Sequence, residues 1–227
     1  MGIVRKYYTT VKEIQNPLKD IFTATFLSEK KFIFLPGQFL HLTLDDYSPN
    51  VQWPESRCFS MQSEPDAKFL KITFAIKGRF TQQLAEELHS GKNIWLKLPY
   101  GDLFQRQHSK NNCVFIAGGT GITPFLSLFG NSLFAQYQNS KLYFGIRSKE
   151  YNIFIDELII AKKINQQFII NIVNQNKDGI LDIEKIYSEN KNSTYFISGP
   201  PAMISSFKNF LVNQKCSEEK VITDDWE

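Results

Sequence analysis

The 227-residue sequence predicts a six-stranded antiparallel barrel followed by an α/β domain built on a parallel sheet. Three observations carry that reading. Residues 3 to about 105 break into short apolar runs between turn signals, with one helix-spaced stretch among them. A polar run, Gln105-Arg-Gln-His-Ser-Lys-Asn-Asn, then interrupts the pattern. From Cys113 onward strand-like and helix-like segments alternate, as they do in a parallel sheet covered on both faces. The expected bounds are 1–105 for the barrel and 112–227 for the α/β domain, with the polar run as linker.

In the first half, Tyr7–Ile14 and Ile21–Leu27 read as strands separated by Asn16-Pro17. Phe32–Leu35 leads to a turn at Pro36-Gly37, and Phe39, Leu40, Leu42 and Leu44 make the next apolar run. Arg57–Gln62 follows a loop holding Pro49 and Pro54. Phe69–Ile76 alternates, with Leu70, Ile72, Phe74 and Ile76 on one side. Phe80–Leu88 switches to helix spacing, with Thr81 as the expected N-cap, and Ile94–Leu98 returns to strand.

The second half opens with Cys113–Ala117, an apolar run of the length of a buried strand. Glycines 118, 119 and 121 follow, then Pro124 and a helical pattern running to Tyr137. Lys141–Ile146, Gln167–Val173 and Thr194–Ser198 are further strands; Asp156–Lys163, Asp182–Ser188 and Pro201–Asn213 are helices.

Composition excludes several classes. Hydrophobic content of 42% and charged content of 22% are those of an ordinary globular chain. A net charge of +3, spread along the chain, does not point to nucleic acid or a membrane surface. Cys58, Cys113 and Cys216 are far apart and odd in number, giving no disulfide framework and no zinc or iron–sulfur spacing. The N-terminus has no apolar run long enough for a signal peptide, and Lys6 stands where a myristoylation signal wants serine or threonine. A cytoplasmic chain without metal or membrane insertion, a monomer, is the expectation. His108, in the polar run, is expected to face solvent.

Four short motifs stand out. Gly119-x-Gly121-x-x-Pro124 differs by one residue type from the dinucleotide fingerprint, in which glycine admits a pyrophosphate to a helix N-terminus. Read alone it is also an ordinary strand-to-helix turn. Arg57-Cys-Phe-Ser60 offers a forked cation for phosphate, an aromatic face and a hydroxyl, or simply strand sequence. Gly78-Arg-Phe-Thr81 offers a second anion site at a helix start. Ile197-Ser-Gly-Pro-Pro-Ala-Met203 ends a strand on the edge where open α/β sheets bind ligands.

In this order, and with Pro36-Gly-Gln-Phe39 ahead of them, these pieces resemble the ferredoxin–NADP reductase superfamily over nearly the whole chain. The resemblance implies a flavin-binding barrel, a nucleotide-binding α/β domain, and hydride transfer from NAD(P)H to FAD, with FMN as the alternative. It implies that Arg57 binds a flavin phosphate, that Phe59 lies against the flavin ring, and that Ser60 reaches its N5. Cys58, the backbone of Phe74, Ala75 and Ile76, and the loop Gly78, Arg79, Phe80 and Thr81 would complete the flavin site. Gly119, Thr120, Gly121, Ile122 and Thr123, with Gly199, Pro200, Pro201 and Met203, would hold the nicotinamide nucleotide. Ser60 and Ser198 would stand at the site of transfer, and Thr120 would touch both cofactors.

Three departures from the family pattern matter. Phe59 replaces a tyrosine, Ser198 stands where many members carry cysteine, and Trp226 takes the place of a terminal aromatic that stacks on flavin or lies on the surface. Arg147-Ser-Lys149 after the second strand of the α/β half leans the coenzyme choice towards NADPH, with Glu150 just beyond. No iron–sulfur segment is present in this sequence, so the expected acceptor is a separate molecule: a ferredoxin, a flavodoxin, an oxygenase component or a small acceptor. A flavin-binding electron-transfer subunit that does not itself oxidise NAD(P)H is the other reading.

Overall fold

The computed structural model describes residues 2–224; Trp226 lies outside them. The chain divides into two compact units, Met1–Asp102 and Leu103–Glu227. The boundary falls ahead of the polar run because that run belongs to the second unit. Phe104 packs on Phe115, Phe125 and Phe196, and His108 bonds the Tyr137 hydroxyl at 2.9 Å with its ring edge-on to Phe196. His108 is therefore half-buried and structural, not solvent-facing.

The first unit is a nearly closed antiparallel barrel. Its strands are β1 (Arg5–Leu18), β2 (Ile21–Leu27), β3 (Phe39–Thr43), β4 (Arg57–Ser60), β5 (Leu70–Ala75) and β6 (Asn93–Tyr100), in the order β4-β3-β6-β1-β2-β5. A bond from Gln62 N–H to Lys71 O at 2.8 Å ties the two ends together. Alternation sends Leu40, Leu42, Ile72, Phe74, Leu96 and Leu98 into one core. β1 runs through Asn16-Pro17 instead of ending before it. The missing Pro17 N–H falls at a register shift between Gln15 and Leu18, where the ladder asks for no donor, and Asn16 Nδ2 caps the turn by bonding Ile21 O at 2.8 Å. Gln38 is buried; it accepts from Leu35 N–H and donates to Gly101 O, both at 2.8 Å, so the Pro36–Phe39 motif is a structural clamp.

Helix α1 (Arg79–Glu87) follows β5. Its N-cap is Gly78, and Thr81 sits three residues on rather than at the cap. The Thr81 hydroxyl accepts from Lys77 N–H at 2.8 Å and Gly78 N–H at 3.1 Å, so it still secures the helix start.

The second unit is a parallel sheet of β7 (Cys113–Gly118), β8 (Lys141–Ile146), β9 (Ile169–Asn174), β10 (Thr194–Ser198) and β11 (Val221–Thr223), ordered β11-β10-β7-β8-β9. β11 is a strand the sequence pattern does not show, being only three residues long. The helices are α2 (Thr123–Phe129), α3 (Ile155–Ile164), the single turn α4 (Gln175–Asp178), α5 (Ile183–Glu189) and α6 (Pro201–Asn213). Successive residues of β7 feed opposite faces. Cys113 and Phe115 join an aromatic cluster with Phe125, Phe129, Phe134 and Phe196, while Val114 and Ile116 join Tyr195, Phe207 and Leu211. The helical pattern expected over Pro124–Tyr137 breaks at Gly130. There the Asn131 side chain accepts from Leu133 N–H at 3.0 Å and starts a separate 3₁₀ turn, Ser132–Gln136.

Candidate nucleotide and flavin sites

In the α/β unit the chain leaves β7 outward to β8 and β9, then returns to β10 on the other side of β7. The connection therefore reverses between β7 and β10, the place where open α/β sheets form a ligand crevice at their carboxyl ends. Two turns flank it: the 3₁₀ turn Gly119–Ile122 after β7, and Ser198–Met203 after β10. They touch each other. A Cβ on Gly121 would lie 2.4 Å from Gly199 Cα, and one on Gly118 would lie 2.9 Å from Pro200 Cδ and 3.0 Å from Met203 Sδ. Gly121 must be glycine for the second turn to approach this closely. Gly119 is the open position: its φ is +54° and nothing lies within 4 Å of its Cβ direction. Thr120 is half-exposed beside it, its carbonyl accepting from the Thr123 hydroxyl at 2.9 Å, while Ile122 is buried.

Ser198 is buried at the end of β10, and its hydroxyl donates to Asp224 Oδ2 at 3.1 Å. Asp224 N–H in turn bonds Ile197 O at 2.9 Å. Asp224 escapes sequence reasoning because β11, which delivers it, has no periodicity to detect. At the end of β8, Arg147 is exposed and lies 5.3 Å over the Tyr151 ring, and Ser148 hydrogen-bonds Glu150. That hydroxyl holds the Glu150 carboxyl below its ordinary range. The segment after this strand thus carries a carboxylate as well as the arginine.

In the barrel unit, β4 presents Arg57 at the surface, bonded to Glu55 at 2.8 Å, with its guanidinium 5.2 Å from the Phe80 ring centre. Two motifs far apart in sequence meet in that contact. Phe80 is the second residue of α1, whose first turn has no acidic residue and whose Gly78 faces open space. The N–H groups at such a helix start attract anions. Ser60 is buried on β4, and its hydroxyl takes no partner within the chain among the described residues. Phe59 is only 7% exposed and stands edge-on to Phe74 at 5.8 Å, so its ring is built into the barrel core. Ala75 and Ile76 are half-buried at the end of β5, where Ile76 N–H bonds Asp20 O at 2.8 Å. Cys58 points the other way, with its sulfur 3.5 Å from His41 Nε2. Burial raises that thiol against the opposing pull of Arg57, and burial together with Lys97 lowers His41. Both shifts favour the neutral form of the group.

These features define a class: an antiparallel barrel with an anion-attracting helix start, followed by a parallel sheet with a glycine-lined crevice. The family described as the oxidoreductase NAD-binding domain matches residues 115–209. The chain is 32% identical over 146 residues to the ferredoxin–NAD(P)(+) reductase component of the naphthalene 1,2-dioxygenase system of Pseudomonas putida, covering 62% of this chain and 42% of that protein. It is 26% identical over 236 residues to sulfhydrogenase 2 subunit gamma of Pyrococcus furiosus, covering 93% and 79%. Among solved structures, the ferredoxin NADP+ reductase of Neisseria gonorrhoeae, with bound FAD and NADP, superposes with a TM-score of 0.75 at 19% identity, over 94% of this chain and 92% of that one. An Amycolatopsis cytochrome P450 reductase superposes with a TM-score of 0.83 at 18% identity, over 99% and 71%. The chain has the fold of these reductases over nearly its whole length, and residues 115–209 belong to the oxidoreductase NAD-binding domain family. It spans about half the length of several of the curated relatives it matches. Among the described residues no helix is long and apolar enough to cross a membrane, and no three His, Cys, Asp or Glu side chains gather into a metal site.

Proposed function

We propose that this chain is an NAD(P)H-dependent flavoprotein reductase that binds FAD on the barrel, binds the nicotinamide nucleotide on the α/β unit, and passes electrons to a separate acceptor. The observation that carries the reading is the pair of interlocked glycine turns at the β7–β10 crevice, with Gly119 open beside them and Ser198 at their base. A flavin held there would supply the ring that accepts hydride and releases electrons onward. The chain's own residues bind and orient. Arg57 and the start of α1 neutralise phosphate charge, and the unpartnered Ser60 hydroxyl is available to a ring nitrogen. Phe59 and Phe74 stiffen the strands that carry these groups. On the α/β unit, Gly119 and Thr120 receive the nucleotide, and Asp224 holds the Ser198 hydroxyl in one orientation. Arg147 supports NADPH while Glu150 favours the free 2′-hydroxyl of NADH, so both coenzymes remain in the proposal as NAD(P)H.

The naphthalene 1,2-dioxygenase relative named above, a ferredoxin–NAD(P)(+) reductase component, supports a ferredoxin or an oxygenase component as acceptor. Three unpaired cysteines suit a reducing compartment such as the cytoplasm. The deciding experiment is anaerobic titration of the yellow purified protein with NADH and with NADPH, followed by kcat/KM for each. Bleaching of the flavin band is expected. A flavin band that dithionite bleaches and neither nicotinamide does would leave a flavin-binding electron-transfer subunit.

A further inference from the structure

We propose that β9 is the pairing edge of a symmetric dimer, in which two copies of this chain join their parallel sheets strand to strand. β9 ends the sheet order, next to β8 alone. Ile169 N–H donates to Ser140 O at 3.0 Å, at the β8 side. Alternation along the strand then turns the backbone groups of Ile169, Asn171 and Val173 towards β8, and those of Ile170 and Ile172 outward. The next outward N–H, on Asn174, is taken by Asp178 Oδ2 at 3.1 Å. Ile170 and Ile172 therefore carry an open stretch of donors and acceptors, with no backbone partner beyond the β8 ladder among the described residues.

Natural edges are blunted by charge, proline, bulges or short length. β9 has none of these. Ile169–Asn174 reads Ile-Ile-Asn-Ile-Val-Asn, six residues in regular register with β8, and Ile169 and Ile172 are 49% and 40% exposed. The opposite edge of the same sheet, β11, has three residues, all buried.

A second copy is the occupant because the edge is complementary to itself. With a two-fold axis through Asn171, Ile170 of one copy stands opposite Ile172 of the other. Both residues face outward, so each such pair exchanges both bonds of an antiparallel hydrogen-bonded pair. Ile169 then lies opposite Val173, and Asn171 opposite its own counterpart. Each cross-strand pair is apolar on apolar or amide on amide, and no like charges meet. A slip of one residue would set outward groups against inward ones and lose those bonds. This departs from the monomer the sequence leads one to expect, and it does not depend on the proposed activity.

The test is sedimentation velocity of the full chain over a range of concentrations, with two variants. The wild type is expected to form a concentration-dependent dimer. Ile172→Pro deletes an outward donor and leaves the β8 ladder whole, so it should raise the dimer dissociation constant about tenfold or more with an unchanged circular-dichroism spectrum. Ile172→Lys serves if proline disturbs the strand. Asn171→Cys, in a background carrying Cys58→Ser and Cys216→Ser, should form an intermolecular disulfide on mild air oxidation, since facing residues at a non-hydrogen-bonded position lie about 4.5 Å apart at Cα. A wild type that stays monomeric at every concentration overturns the proposal, including the case in which the edge serves a different protein. A dimer that survives Ile172→Pro and Ile172→Lys and is not cross-linked through Asn171→Cys overturns the assignment to β9.

Discussion

Arg57 holds its place through the exposed Glu55 and the face of the partly buried Phe80, so its removal takes no side chain out of the barrel core. The Glu55 pair is exposed and contributes about 0–1 kcal/mol. A charged hydrogen bond to a ligand phosphate is worth about 1.5–3 kcal/mol. Arg57→Ala should therefore fold normally and lose flavin about tenfold or more readily, read as the flavin-to-protein absorbance ratio after gel filtration. Full occupancy in the variant would remove Arg57 from the phosphate site. Gly121 is a different kind of residue. Its φ is ordinary, and what forbids a side chain is the Gly199 backbone 2.4 Å from where Cβ would be. Backbone cannot swing aside as a side chain can. Gly121→Val should part the two turns, costing about 1–3 kcal/mol of stability or more and ending nicotinamide-driven reduction while flavin stays bound. An unchanged melting temperature would mean that the turns part at no cost.

At the scale of the element, α1 shows how a helix start is secured without a capping side chain at its first position. Gly78 has none to offer, so the Thr81 hydroxyl reaches back to the N–H groups of Lys77 and Gly78 and donates to Gly78 O at 3.0 Å. Thr81→Ala should cost about 1 kcal/mol, the usual loss for a helix-start hydroxyl, and Thr81→Ser should restore most of it. Chemical denaturation of the three proteins measures this; equal stabilities would show that water replaces the hydroxyl. The elements also explain two boundaries that sequence periodicity misplaces. Asn16-Pro17 has the composition of a turn, but a bulge absorbs it within β1. The apolar spacing from Phe125 to Tyr137 continues across Gly130 because both pieces face the same aromatic cluster, although the backbone is not one helix.

At the scale of the molecule, each unit encloses its own apolar core, and the second carries ionisable groups inside it. Burial pushes the Cys113 thiol up to about 12, and burial with Cys113 nearby pushes the Tyr137 hydroxyl up as well. An unfolded thiol ionises near pH 8.5. Above that pH the unfolded chain has released a proton that the folded chain keeps, so stability falls as pH rises, by about 1.4 kcal/mol per pH unit for Cys113 until its folded pKa is reached. Urea unfolding followed from neutral pH to about pH 11 should show this decline, and Cys113→Ala should make it shallower despite being less stable at neutral pH. Parallel curves for the two proteins would mean that Cys113 ionises freely in the folded state.

Much of this protein is fixed locally and can be read from its chain. Alternation in Leu70–Ala75, the apolar run Cys113–Gly118 and the proline-led pattern Pro201–Asn213 specify strand and helix because a side chain's face follows from backbone period alone. The order of the glycine and arginine motifs is likewise a property of sequence. What only the tertiary structure decided are the meetings between distant segments. Arg57 over Phe80, Gly121 against Gly199, Ser198 bonded to Asp224 and Cys58 beside His41 each join residues whose neighbourhood no local pattern encodes. The role of Gly121 turned on such a meeting. Its sequence context suggests space beside the glycine, but the turn after the adjacent strand β10 occupies the Cβ direction with backbone, and strand adjacency is set by the packing of the whole sheet.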